Sequence, residues 1–356
     1  MIGPRERLVD FTKITTDRIV MRALSECVSP DEVEFAKIRD AGEPVVMRSL
    51  ASTWPAVAAA RRGDLAGYLT ALATGEKVPM LRADASQHGR LHYNRSTDGP
   101  NFNRELVSIK DFFAEFERQT CTPSPETLVI QSTPADRILP GFSAANPIHL
   151  LTLKVEPRIW LGSPAIVATH NDQVENIACV VAGRRRFTLF APEQVANLYM
   201  GPFHVTPAGA AVSMVHTTQP DLERFPRFTK ALAEGRSAEL ETGDAIYIPY
   251  GWYHHVEALS PLNLLVNYWW NSARRDLGSP WDAMMHGMVA LRQLPASQRR
   301  SWRAMFDHYV FMANGDPAEH LPESLRGVLG ADSPSDLAAM RRAIIAALQN
   351  LGSGPR

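Results

Sequence analysis

Three regimes of hydrophobic patterning follow one another along the chain. Up to about residue 126, apolar positions recur at both helical and strand periods. Ser29, Pro30 and Glu32 read as a helix start, with Ser29 as N-cap, proline in the first turn and Glu32 closing a capping box; the stop is expected near Gly42. Residues 56–76 and 108–117 read as further helices, the second with Phe112, Phe113 and Phe116 on one side. Short strands are expected at 44–47, 78–82 and 90–93, with a turn at Asp98-Gly99-Pro100.

From about 127 the period changes to two. Runs of four to eight β-rich residues fall at 127–131, 149–155, 159–162, 165–172, 177–181 and 186–190. After an interruption they resume at 238–240, 244–248, 254–258 and 263–270. Close spacing between Gly, Pro and Asn breakers predicts a β-sandwich or barrel, and a jelly roll fits best. The fold class is therefore mainly β with α. The interruption, 201–235, carries Pro202, Pro207, Pro220 and Pro226 and one short helix near 228–233. It reads either as a lid or substrate-contact element or as a plain surface loop.

The third regime is helical, with candidates at 281–294, 297–312, 322–329 and 333–351 and a stop at Gly352. Leu337, Met340, Ile344, Ala347 and Leu348 make an apolar stripe. Residues 1–271 are thus expected to form one domain and 272–356 a helical subdomain.

Composition changes this picture little. The 356 residues are 45% hydrophobic and 21% charged with a net charge of -1, which gives no argument for general binding to nucleic acid or anionic membrane. Cys27, Cys121 and Cys179 are widely spaced and odd in number, against a disulfide framework or structural zinc. The first residues lack the apolar core of a secretory signal, and no apolar run approaches a membrane span, so a cytoplasmic location is expected.

The chemistry concentrates in Thr169-His170-Asn171-Asp172. In a strand, His170 and Asp172 share a face. With a distant His they make the two-His, one-carboxylate set of non-haem Fe(II) sites. HxD alone is weak evidence. The second His comes from the 243–256 stretch, where Pro249-Tyr250-Gly251 breaks a strand before His254-His255. His254 shares the parity of Val256 and is expected inward; His255 shares that of Glu257 and is expected outward. In Gly183-Arg184-Arg185-Arg186-Phe187, Arg185 has the inward parity, so it meets either a bound carboxylate or an internal acid. Asn176 and Asn267 are candidates for hydrogen bonds to a co-substrate or to backbone. Trp269 is a candidate pocket wall or a core residue.

The segments THND…EN…GRRRFTLFAPEQ, GDAIYIPYGWYHHVE and LLVNYWW resemble the JmjC/cupin-like (cupin-8) oxygenases, the group that includes the asparaginyl hydroxylase acting on hypoxia-inducible factor. Gly42–Arg48 with Trp54-Pro55, and His92-Tyr93-Asn94, also look like the family. The resemblance covers about 25–271. It implies a double-stranded β-helix, Fe(II) held by His170, Asp172 and His254, 2-oxoglutarate as co-substrate, and O2. It places Arg185 where the family usually has a Lys for the distal carboxylate, and Asn176 and Asn267 at co-substrate-contacting asparagines. Val167 replaces a hydroxyl residue, leaving Thr169 or Tyr93 to supply that contact. The helical tail resembles dimerising tails and implies a homodimer.

The expected function is hydroxylation of a protein side chain, a peptide or a small molecule. The rivals are a cupin using a metal without a 2-oxo acid and a non-catalytic binding module.

Overall fold

The computed structural model describes residues 21–349 except 153 and 208. It contains two compact units, one ending at Asn271 and one starting at Ser272. Eight strands form the centre of the first: β1 (Pro157–Gly162), β2 (Ile166–Asn171), β3 (Glu175–Ala182), β4 (Arg185–Phe190), β5 (Arg236–Leu240), β6 (Ala245–Ile248), β7 (Tyr253–Ala258) and β8 (Asn263–Trp270).

Their order is β6-β3-β8-β1 within a nine-stranded sheet and β5-β4-β7-β2 within a six-stranded sheet. All six pairings among them are antiparallel. Each step from β1 to β4 crosses to the other sheet, and so does each step from β5 to β8; only β4 to β5 stays in one sheet. Two ribbons that cross back and forth in this way define a double-stranded β-helix, the jelly roll that the strand spacing predicts.

Alternation assigns the two faces of the large sheet. Ala178, Val180, Ile246, Ile248 and Leu265 face the small sheet and meet Phe187, Leu189, Leu240 and Val256. Ile177, Cys179, Val181, Tyr247 and Val266 face outward, under Phe35, Trp54, Phe112 and Phe142. Because both faces are covered, β3 reads as an almost unbroken apolar run. Each fully buried aromatic contributes about 2–3 kcal/mol by removal from water. The helices before residue 127 therefore serve as the backing of the large sheet.

Several local expectations change. The first helix is Glu32–Ala41, capped by Asp31 rather than Ser29, with Asp31 and Glu34 forming the capping box. Ser29 instead ends the strand Ser25–Val28 with a φ of 39°, its N–H donating to the Arg48 carbonyl at 3.0 Å. The expected helix at 56–76 is two, Pro55–Arg61 and Leu65–Leu72, parted at Gly63, whose φ of 75° ends the first. Among the described residues of 149–155 no strand forms; Thr127–Pro134 and β8 flank β1. An edge strand, Asn103–Val107, escaped the sequence reading because its charged, exposed residues hide the alternation. The described residues of the interruption are irregular up to the helix Phe228–Glu234.

The second unit contains helices Pro280–Leu291, Ala296–Tyr309 and Pro334–Gln349. The segment expected helical at 322–329 forms two short 3-10 turns instead, Glu323–Leu325 and Gly327–Gly330, the second opening on Gly327 with a φ of 50°. The expected stop at Gly352 lies outside the described residues. No helix among the described residues is long and apolar enough to cross a membrane.

Candidate metal centre and inner pocket

β2 and β7 meet with His170 opposite His254 and Val167 opposite Val256. Three steps on β2 thus match two on β7, a β-bulge at Ala168-Thr169. The bulge breaks the period of two, so that Val167 packs against the inner core while His170, of opposite parity, faces His254. Asp172 lies just beyond β2, in the turn to β3. The Gly251 N–H donates to its carbonyl at 3.2 Å. Gly251 itself holds a φ of 77°, which lets the turn before β7 approach so closely.

His170, Asp172 and His254 offer ligand atoms all within 4.8 Å of one another. The imidazole centroids are 4.3 Å apart, and His254 Nε2 is 3.7 Å from Asp172 Oδ2. Each ring is oriented from behind: His170 Nδ1 donates to the Ala168 carbonyl at 2.9 Å and His254 Nδ1 to the Trp252 carbonyl at 3.2 Å. In a neutral ring each donation puts the proton on Nδ1 and turns the Nε2 lone pair toward the cluster. Burial, reinforced by neighbouring His170, pushes the His254 imidazole down to about 4 and keeps it neutral. Two imidazoles and one carboxylate converging on one point fit a divalent first-row metal such as Fe(II).

Deeper between the sheets lie polar atoms without partners. Arg185 is buried, and its Nε has no hydrogen-bond partner. Desolvation pushes its guanidinium down to about 10, with no carboxylate opposing the shift. Asn176 Oδ1 and Trp269 Nε1 are likewise buried without partners, on positions paired across β3 and β8. Asn267 Oδ1 accepts from Trp160 Nε1 at 2.7 Å. Trp160 and Trp269 meet edge to face, centroids 6.0 Å apart. Arg185 lies four residues along β4 from Leu189, which pairs with His254. At about 3.3 Å per residue, the two levels are roughly 13 Å apart along the strand.

Residues 30–276 match the cupin-like domain family, Cupin-8, and so cover more than half of the chain. The chain belongs to that family. It is 26% identical to Jumonji C domain-containing protein 5 of Drosophila melanogaster over 279 residues, 75% of this chain and 64% of the fly protein. It is 35% identical over 114 residues to lysine-specific demethylase JMJ31 of Arabidopsis thaliana, 32% of this chain and 20% of that protein. It is 34% identical over 152 residues to human HSPB1-associated protein 1, 41% of this chain and 30% of the human one. The chain therefore spans less than two thirds of each of these relatives.

Within this cupin-like unit, other expected site residues turn away from the cluster. The Thr169 hydroxyl bonds that of Thr217 at 2.8 Å, and the Tyr93 hydroxyl donates to the Pro202 carbonyl at 3.2 Å. Thr169 thus fastens the interruption to β2 and Tyr93 fastens it to the segment after Leu91, rather than facing the unpaired atoms of the pocket. His255 points away from His254, as its parity requires, but it is not a surface residue. It is 2% exposed, and neither ring nitrogen has a hydrogen-bond partner. The outer face of β7 is roofed by other parts of the chain, which strand parity alone cannot reveal.

Sequence reasoning missed one further group at the head of β3. Arg39 clasps both oxygens of Glu175 at 3.0 and 3.1 Å, and the Tyr247 hydroxyl donates to Glu175 at 2.9 Å. The ion pair ties the first helix to the strand bearing Asn176. Its sequence signal was only a lone Glu at the start of an apolar strand.

Proposed function

We propose that the chain is an Fe(II)- and 2-oxoglutarate-dependent oxygenase that hydroxylates a C–H bond of a polypeptide side chain. The observation carrying this reading is the pairing of the His170–Asp172–His254 cluster with an unpartnered guanidinium deep in the same barrel. A buried cation without a counter-charge is costly, and a carboxylate supplies what it lacks. Lysine-specific demethylase is the printed name of one relative, which favours a polypeptide substrate over a small molecule.

In this reading His170, Asp172 and His254 hold the iron and leave positions open. Arg185 grips the distal carboxylate of 2-oxoglutarate; Asn176 and Trp269 donate or accept along its length, and Asn267 is fixed by Trp160. When bound, iron with 2-oxoglutarate and O2 supplies the oxidant, yielding succinate and CO2 and placing one oxygen atom in the substrate. Trp160 and Trp269, packed edge to face, would wall the pocket. We further propose that the chain works in the cytoplasm, as a homodimer joined through its tail.

Calorimetric titration of 2-oxoglutarate into the Mn(II)-loaded chain tests the pocket. One site is expected, with affinity reduced at least a hundredfold by Arg185→Met, the loss of a charge-assisted pair at about 1.4 kcal/mol per factor of ten. Unchanged affinity in that variant contradicts the assignment and favours a cupin of other chemistry.

A further inference from the structure

β7 carries a metal-cluster residue, His254, on one face and His255 and Glu257 on the other. The segment 86–101 and the stretch 214–224 of the interruption cover that second face. Between them lies a cavity of about 980 Å³, which none of His170, Asp172, His254 and Arg185 lines. Arg90, His92, Arg95, His216, Arg224 and Glu257 are among its walls.

The polar groups here are unbalanced. Arg90 is half-buried, and one terminal nitrogen is fully buried without a hydrogen-bond partner. The one acid of the lining, Glu257, is engaged by Arg186 at 3.0 Å. Arg224 lies over the Phe225 ring, 5.0 Å from its centroid. His216 is fixed through Nδ1 by the Thr218 hydroxyl at 3.2 Å, so its Nε2 is free to act on a ligand. His255, near enough to feel the charges of Arg90 and His216, adds two further unpaired ring nitrogens behind the wall. His92 is already occupied: its Nε2 donates to the Ser213 carbonyl at 2.9 Å and holds the roof in place.

Guanidinium and imidazole donors that face a roomy cavity, with their only acid already paired, present a site for negative charge. Leaving them desolvated without it is unfavourable. We propose that this cavity is a second ligand site, separate from the metal centre, which takes an anionic group, phosphate or carboxylate, with Arg90 as the main contact and Arg95, Arg224 and His216 around it. The interruption between β4 and β5 thereby becomes one wall of a binding site rather than a bare loop.

Calorimetric titration of the full chain without metal, using inorganic phosphate and separately tricarballylate, tests this. The wild type is expected to bind at least one of them, and which one it binds identifies the group. Arg90→Gln is expected to weaken that binding at least tenfold. Arg185→Met, which removes the other buried unpaired guanidinium among the described residues, is expected to leave it unchanged. Should Arg90→Gln not fold, the double variant Arg95→Gln/Arg224→Gln, on exposed side chains, is expected to give the same loss. Binding of neither anion, or binding lost in Arg185→Met and retained in the Arg90 or rim variants, would overturn the proposal.

Discussion

Arg185 carries two consequences at the scale of a single residue. As a ligand contact it favours binding; in the free protein it is a desolvated charge without a partner. Replacing such a charge with an apolar side chain of similar length removes a cost rather than a bond. Arg185→Met is therefore expected to leave the melting temperature of the ligand-free chain unchanged or raised, while 2-oxoglutarate no longer raises it. A clear drop in the ligand-free melting temperature would mean that Arg185 has a structural partner. The inward position of this Arg followed from parity, because β4 has no bulge. The outward direction of His255 followed too, but burial depends on what covers a strand, and the covering segments are distant in sequence. Thr169 and Tyr93 were unreadable for the same reason: a hydroxyl's partner is set by tertiary packing.

Among elements, the bulge in β2 and the interruption after β4 matter most. The HxD pattern looks like plain alternation, yet His170 faces the cluster because Ala168 and Thr169 absorb an extra residue. A register shift leaves no mark in one sequence. The interruption was visible from its prolines, but not its fastening. His92 reaches it by donating to Ser213, and burial pushes its imidazole down to about 4 from an ordinary 6.5. A folded pKa below the unfolded one means that stability is full above about pH 6.5 and falls as pH drops toward 4, since the unfolded state binds the extra proton. Wild-type stability in urea is expected to decline more steeply between those values than that of His92→Gln, which retains a donor. Parallel declines would show that His92 does not titrate on unfolding.

For the whole molecule, the tail poses the main question. Val289, Phe311, Leu325 and Val328 are each more than two-thirds exposed, and Met305, Ile344 and Ile345 are also open. Helices Pro280–Leu291, Ala296–Tyr309 and Pro334–Gln349 contain no buried residue. Apolar surface of this extent is what the proposed homodimer would bury. Light scattering at micromolar concentration is expected to give twice the chain mass, and Val289→Asp with Ile344→Asp to halve it. A wild-type monomer would contradict the proposed homodimer. The helical tail and the β core were legible as regimes of period, since period follows directly from which faces are covered. The boundaries of the tail helices were less so, because Gly327 and the short 3-10 turns depend on backbone geometry rather than on hydrophobic pattern.

The central claim is that the three-ligand cluster and Arg185 form one iron and 2-oxoglutarate site. Its most direct test is succinate release from 2-oxoglutarate in air, with and without added Fe(II). Iron-dependent succinate formation by the wild type, abolished in His170→Ala and strongly reduced in Arg185→Met, is the expected result. No iron uptake and no succinate from the wild type, or formation that persists at the wild-type rate in His170→Ala, would contradict it.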